Sequence, residues 1–295
     1  MYENFKPTIW AAGIEKSLHE NCVFLEDCNQ EYEGEVNKPG KTVKILAVGK
    51  PTIYEVTGKE LNKDINAPEH IPESSIDLTV NQVAYFNFMV DDIDQAQAKG
   101  GIMDEHVKES GQGIANTIDK YIAKFAADDT VASLYASPVT IVESEAKTLA
   151  ADGSEKANTK YVLDVVDEAV ELLQERNVPD GTPIVITVSP KFFRIFKKAY
   201  RFEDTNNSNI LKNGKVGMYN KVTVKVSNNV FKNGDGNKVH NIMIRTKKAI
   251  AAVVPYTHTE PYRPEKRFSD AVKGFTLYDA IVARPQEIIN IPVQF

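Results

Sequence analysis

The sequence predicts an α+β protein in which strands and helices occupy separate stretches of the chain. Three observations carry this. Residues 42–56 and 75–90 alternate apolar with polar side chains or cluster β-branched and aromatic ones. Residues 91–127 and 158–176 instead repeat apolar positions at helical steps. The last hundred residues return to short strands separated by turn signals. A chain of 295 residues buries about 75% of the surface its unfolded form exposes, enough for one large or two modest cores.

Residues 1–40 hold one weakly helical stretch, 11–25, then a polar exit with glycine and proline, and read as an arm. Val43, Ile45 and Ala47 alternate with Lys44 and Leu46, an imperfect strand pattern that Lys50-Pro51 interrupts. Ile53, Tyr54 and Val56 resume it. Residues 58–72 turn polar, with Gly58, Lys59, Glu60, Lys63, Asp64, Pro68 and Pro72, and are expected to form an exposed tip. With the strand-like run 75–90, which contains Tyr85, Phe86 and Phe88, they suggest a hairpin projecting from the body.

From Asp91 the period changes. Ile93, Ala96, Met103, Val107, Ile114, Ile118, Tyr121 and Phe125 recur at three-, four- and seven-residue steps, predicting an amphipathic helix over 91–127 with Asp91 or Asp92 as its cap. Thirty residues would run about 45 Å, too long for one compact core to cover. Gly100-Gly101, Gly111 and Gly113 predict bends. A second helix, 158–176, carries Val162, Val165, Val166, Ala169, Val170 and Leu173 on one side and ends at Asn177 before Pro179 and Gly181. The apolar run 183–188 reads as a strand covered on both faces. Ser189 is an N-cap with Pro190 in the first turn, opening a helix to about Tyr200. Strands follow at 222–226, 242–244, 249–254 and 274–283, with turns at Asn213-Gly214 and 233–236.

Little in the chain points to catalysis, and no catalytic residue, cofactor or metal is assigned. His19, His70, His106, His240 and His258 are scattered without the i, i+4 pairing of a helical metal site. Asp91, Asp92 and Asp94 are more simply helix-start residues than metal ligands. Gly111-Gln112-Gly113 falls inside a helical pattern and lacks the Gly-Lys-Ser/Thr of a phosphate loop; the glycines of 212–217 follow a polar loop and read as a turn. Cys22 and Cys28 lack zinc spacing and are expected to be free thiols. No secretory signal and no apolar run of about 18 residues is present, so a soluble protein made in the cytosol, without a membrane partner, is expected.

The net charge of −6 is unevenly spread. Residues 191–295 hold 19 Lys/Arg against 8 Asp/Glu, a net of +11, while the preceding 190 carry −17. Such asymmetry fits nucleic-acid binding or attraction between copies, and the absence of a dense Lys/Arg run favours the copies. Tyr85, Phe86 and Phe88 could stack on bases, but Asp91 and Asp92 beside them would repel phosphate, so packing against the long helix is the preferred account.

In their order these segments resemble the major capsid proteins of tailed bacteriophages with the Hong Kong 97-type fold. The likeness is carried by Gly40-Lys41-Thr42-Val43-Lys44-Ile45, Ile76-Asp77-Leu78-Thr79-Val80, Asp91-Asp92-Ile93-Asp94-Gln95-Ala96 and Ala115-Asn116-Thr117-Ile118-Asp119. Further on it continues through 172–178, 184–190, Val226-Ser227-Asn228-Asn229, and Phe268-Ser269-Asp270-Ala271-Val272-Lys273-Gly274 to Arg284-Pro285. It implies an N-terminal arm over 1–40, an extended β-hairpin or E-loop over 41–90, and a peripheral domain with a long spine helix over 91–160. An axial domain with a central sheet would cover 161–254, and strands returning to the peripheral domain 255–295.

The function implied is a structural, non-enzymatic subunit that assembles through homo-pentamers and homo-hexamers into an icosahedral head. A soluble α/β enzyme and a nucleic-acid-binding protein are the alternatives, and neither a convergent polar pocket nor a contiguous basic surface is visible for them. Implied partners are other copies of the chain, a separate scaffolding protein, a portal protein and packaged double-stranded DNA bound without sequence specificity. The location implied is the virion, after assembly in the host cytoplasm. Gly58, Lys59, Glu60, Lys63, Asp64, Pro68 and Pro72 would lie between subunits, and Ile93, Met103, Val107, Ile114 and Ile118 would line the spine helix. Some members of the family join subunits through an isopeptide bond between an E-loop lysine and a neighbour's asparagine. Lys59 and Lys63 lie in the corresponding loop, yet with Glu60 and Asp64 beside them they should stay charged, so a non-covalent shell is expected.

Overall fold

Alternating side chains build the first paired element: Val43, Ile45 and Leu78 are buried while Lys44 and Asp77 face solvent. β1 (Thr42–Val48) pairs antiparallel with β2 (Glu73–Thr79), Thr42 opposite Thr79 and Val48 opposite Glu73. A computed structural model of the chain describes residues 22–31, 42–48, 52–54, 73–91, 102–150, 152, 154–179, 181–203, 216–219, 222–266 and 268–295. Gly58, Lys59, Glu60, Lys63, Asp64, Pro68, Pro72, Ile93, Asp92, Gly100-Gly101 and the Asn213-Gly214 turn lie outside the described residues.

β3 (Gln82–Asp91) follows β2 after two residues but belongs to a different sheet. The run 75–90, read from sequence as one returning arm of the hairpin, is therefore two strands. Asp91 pairs with Ser269 at the end of β3, and the helix start expected beside it falls on 92–101, outside the described residues. The long helix, α1 (Ile102–Ala123), spans 22 residues, about 33 Å, inside the stretch where the sequence pattern places it. It runs through Gly111 and Gly113 as a single α-helix, its stability coming from the buried face and not from propensity.

Next come β4 (Ala132–Ser133), β5 (Val139–Val142) and β6 (Thr159–Tyr161). Thr159 to Tyr161 had been assigned to the second helix; instead α2 (Val162–Glu175) starts after them, and Asn158 takes a left-handed φ of 54° that suits its short polar side chain. Val162, Val165, Val166, Ala169, Val170 and Leu173 form its buried side, as the spacing predicts. β7 (Ile184–Val188) is buried along its whole length. The Ser189 hydroxyl accepts the Phe192 N–H at 3.3 Å and caps α3 (Pro190–Glu203).

The remaining strands are β8 (Val216–Tyr219), β9 (Val222–Val226), β10 (Lys232–Asn233), β11 (Val239–Thr246), β12 (Ile250–Tyr262), β13 (Ser269–Val282) and β14 (Ile288–Gln294). Gly234 and Gly236, at φ 77° and 70°, turn the chain between β10 and β11. Pro255 offers no N–H to the ladder, and the β12–β13 register shifts between Val253 and Tyr256 around it.

Two main sheets result. One holds nine strands in the order β6-β5-β14-β11-β7-β9-β8, with β10 paired to β11 and β4 to β14. The other is β12-β13-β3. Residues 255–295 thus split between sheets, β12 and β13 in the small one and β14 in the large one. Helices α2 and α3 bury Leu163, Leu173, Phe192 and Phe196 against Ile186, Val224, Ile244 and Ile291 on one face of the large sheet. Met243 and Ile288 point to the opposite face and join a second core with α1 and the small sheet.

Candidate assembly surface

The hairpin stem and the small sheet supply the first part of the surface. Val43, Ile45, Leu78 and Val80 pack on Ala251, Val253 and Leu277, so β1 and β2 are fixed to one face of that sheet. Because Val48 and Glu73 are register partners, the chain between them leaves and returns at the same end of the stem. Ile53 and Tyr54, in that intervening stretch, are exposed.

The strands of the small sheet divide their side chains by parity. Ala84, Phe86 and Phe88 of β3 turn toward α1, where Phe88 and His106 rings stand 5.5 Å apart. Val83, Tyr85 and Met89 turn outward, Tyr85 with 81% of its surface exposed. Packing against the long helix therefore holds for Phe86 and Phe88 and not for Tyr85. Tyr85 faces Phe275, which faces His258. With Asn87, Glu260 and Lys273 these residues line an open groove of about 520 Å³. Its floor is ordered by Tyr262 donating to Asn87 at 3.0 Å, by a Lys273–Glu260 ion pair at 3.3 Å and by Lys273 over the Tyr262 ring at 5.2 Å. Phe268, 87% exposed, precedes β13. Large exposed apolar side chains beside such a groove are the mark of a contact surface.

Gly274 is required on the inward side. A Cβ there would come within 2.6 Å of the Phe86 ring and 2.8 Å of the His258 carbonyl oxygen.

Of the helix positions singled out from sequence, Val107, Ile114 and Ile118 are buried in one core with Ala115 and Ile122. Met103 lies within α1, and Ile93 outside the described residues. These residues are packing residues, and the spacing that revealed them is a core signal.

Sequence reasoning missed the residues that hold this surface to the large sheet. Residues 22–29 were read as part of a detached arm, yet Cys22, Phe24, Leu25 and Cys28 are buried in the core shared with α1. Asp119, fully buried on α1, accepts N–H bonds from Val23 at 2.9 Å and Phe24 at 3.1 Å, with Leu25 also bonded to it. Arg245 of β11, equally buried, donates to the Phe24 carbonyl at 2.7 Å and to Cys28 Sγ at 3.1 Å. Asn29 then joins the small sheet beside Ala251, its N–H on the Ile250 carbonyl and its carbonyl taking the Ala252 N–H. Lys225 of β9 pairs with Glu26 at 2.7 Å and Asp27 at 2.9 Å. This strap ties helix, small sheet and large sheet together.

Burial raises the Asp119 carboxyl above its ordinary value, against the opposing pull of its N–H donors and Arg245. Burial likewise raises both thiols, Cys22 further through Asp119, while Arg245 opposes the rise at Cys28. Both cysteines are free, and raised thiols of this kind are poor nucleophiles. Among the described residues no three His, Cys, Asp or Glu side chains converge into a metal site, and no helix is long and apolar enough to cross a membrane.

Comparison with known proteins agrees with this architecture. A sequence profile described as phage capsid protein matches residues 76–291. No curated protein matches the chain significantly in sequence. Among solved structures, a protein of Mycobacterium phage Che8 is 23% identical, with 92% of this chain and 90% of that one covered at a TM-score of 0.70. The capsid of Cyanophage P-SCSP1u is 13% identical, with 92% and 88% covered at 0.62. The mature capsid of bacteriophage PhiM1 is 16% identical, with 92% and 87% covered at 0.61. Profile and fold coincide over most of the chain: it belongs to the phage capsid protein family, as a structural major capsid protein with the α+β fold of Hong Kong 97-type shells.

Proposed function

We propose that this subunit builds an icosahedral phage head by closing into homo-pentamers and homo-hexamers, with the stretch between β1 and β2 reaching across to a neighbour. The carrying observation is the fixed stem beside an exposed aromatic groove: Val43, Ile45 and Leu78 anchor the stem to the small sheet, and Tyr85 and Phe268 leave most of their surface exposed. On this reading Gly58, Lys59, Glu60, Lys63, Asp64, Pro68 and Pro72 form an inter-subunit contact. A separate scaffolding protein and a portal protein act in assembly in the host cytoplasm, and the shell encloses double-stranded DNA without reading its sequence. The chain has no catalytic role. The segments correspond to arm 1–40, E-loop 41–90, peripheral domain 91–160, axial domain 161–254 and return strands 255–295, with residues 22–29 and β14 woven into the body.

The test is size-exclusion chromatography with negative-stain microscopy of the full chain and of a variant lacking residues 58–72. The wild type should give rings, shells or tubes and the variant a folded but unassembled subunit. Normal shells from the variant in equal yield would refute the role of the tip. Shells boiled in denaturing detergent should run as one band at 32.8 kDa. A ladder that substitution of Lys59 or Lys63 abolishes would overturn the non-covalent assignment.

A further inference from the structure

Charge on the outer helices of the large sheet is segregated by helix. On α2, Asp164, Glu168, Glu171 and Glu175 fall at four-, three- and four-residue steps, one stripe along the helix. On α3, Lys191, Arg194 and Lys198 form a stripe of the opposite sign. The two helices pack against each other on the same face of the sheet through their apolar sides.

Part of this charge is used within the subunit. Glu168 takes a bond from Tyr135 at 2.5 Å and an ion pair from Lys160 at 3.2 Å. Glu171, Glu175, Arg194 and Lys198 are exposed and enter no ion pair within 4.0 Å among the described residues, Lys198 contributing only a weak long-range pull on Glu143, whose ion-pair partner is Lys147. Within each helix their spacing is unfavourable. Glu171 with Glu175, and Arg194 with Lys198, are like-charged i, i+4 pairs, which destabilise a helix where a Glu–Lys pair at the same spacing would support it. A surface that repeats the unfavourable choice on both helices, with opposite signs, is complementary to itself.

We infer that α2 of one subunit meets α3 of the next, the Glu171 and Glu175 carboxylates opposite Arg194 and Lys198, as a head-to-tail contact between copies of this chain. The inference rests on the ring-forming reading above and names a contact distinct from the hairpin tip. It also locates in two helices the attraction between acidic and basic parts of the chain that net charge suggested. A contact of this kind repeats around a ring and closes when the rotation closes.

The test uses two full-length charge-swap proteins, Arg194→Glu with Lys198→Glu, and Glu171→Lys with Glu175→Lys. All four sites are exposed, so circular dichroism and thermal unfolding of the unassembled subunits should match wild type. Each protein alone would face like with like at every contact, and association per contact should weaken about tenfold or more. Mixed in equal amounts they become complementary again if they alternate. Alternation requires an even number, so the mixture should form six-membered rings and no five-membered ones, read by native mass spectrometry and negative-stain images. Raising salt to 1 M, where the screening length is about 3 Å, should shrink the difference between wild type and variants. Wild-type rings with both variants assembling equally well alone would overturn this contact and leave the ring reading standing. Rescue that stops at a heterodimer would overturn its head-to-tail geometry. A wild-type chain that forms no ring or shell at any salt concentration would overturn the assembly reading and this contact with it.

Discussion

Asp119→Ala removes the acceptor around which the strap is wound. Three N–H groups, on Val23, Phe24 and Leu25, lose their partner, and each unsatisfied buried donor costs about 1–3 kcal/mol. The buried Arg245 guanidinium loses its neighbouring anion as well, and removing one member of a buried charge pair costs about 3–5 kcal/mol. The terms overlap, because water can enter the space vacated by the carboxylate, so about 5 kcal/mol is expected for the whole change. For a chain of 295 residues the unfolding entropy is about 0.6 kcal/mol/K, which places the fall in melting temperature near 8 °C. Arg245→Met should cost less, about 3 kcal/mol, because the N–H bonds to Asp119 remain and compensate the carboxylate that has lost its cation, while the Phe24 carbonyl is left unpaired. The assays are thermal and urea unfolding of the unassembled subunit, with hydrogen exchange followed at residues 22–29. A loss under about 1 kcal/mol with those amides still protected would refute the argument that Asp119 holds the strap.

Gly274→Ala should destabilise the subunit by about 2 kcal/mol through its clash with Phe86 and the His258 carbonyl; Phe86→Leu in the same chain should recover part of the loss in a melting experiment, since the carbonyl contact remains. Ser189→Ala should cost about 1 kcal/mol by uncapping α3, read as a shift of about 2 °C. His240 is held down to about 4 by burial and then by Lys232 and Lys191, so its folded value lies below its unfolded one. Its contribution to stability is therefore complete above about 6.5 and lost as pH falls toward 4. Melting temperatures measured from pH 7 to pH 5 should fall less steeply for His240→Gln than for wild type.

What could be read from the residues was what neighbours along the chain decide. The β1 alternation, the apolar side of α2, the largely apolar β7 and the Ser189-Pro190 helix start each follow from a few consecutive side chains, and each stands where it was expected. The partner of β3 could not be read, because alternation says that a strand has two faces without saying which strand lies beside it; Tyr85 and Phe275 meet across 190 positions. At Asp91 the residue pattern changes period, and the strand β3 runs up to and includes that residue. Residues 22–29 gave no signal, since Phe24 and Leu25 sit among acidic residues and their burial depends on Asp119 and Arg245, distant charged groups that a hydrophobic pattern counts as surface. The charge stripes were visible only as a net imbalance, and acquired positions once α2 and α3 were placed side by side.

β14 carries a consequence for the order in which the subunit is made. In chain order it comes after every other strand, yet it lies between β5 and β11, in the interior of the nine-stranded sheet. Its parallel partner β5 begins at Val139, some 150 residues earlier. At ribosomal speeds of about 5–20 residues per second, β5 and β6 wait roughly 7–30 s for the strand that joins them to β11. During that interval β7, β9 and β11 can pair, but the sheet remains in two pieces with open edges toward the missing strand. Translation itself thus withholds the finished subunit until residues 288–294 emerge, and keeps nascent chains crowded on one message from presenting a complete assembly surface to one another too soon.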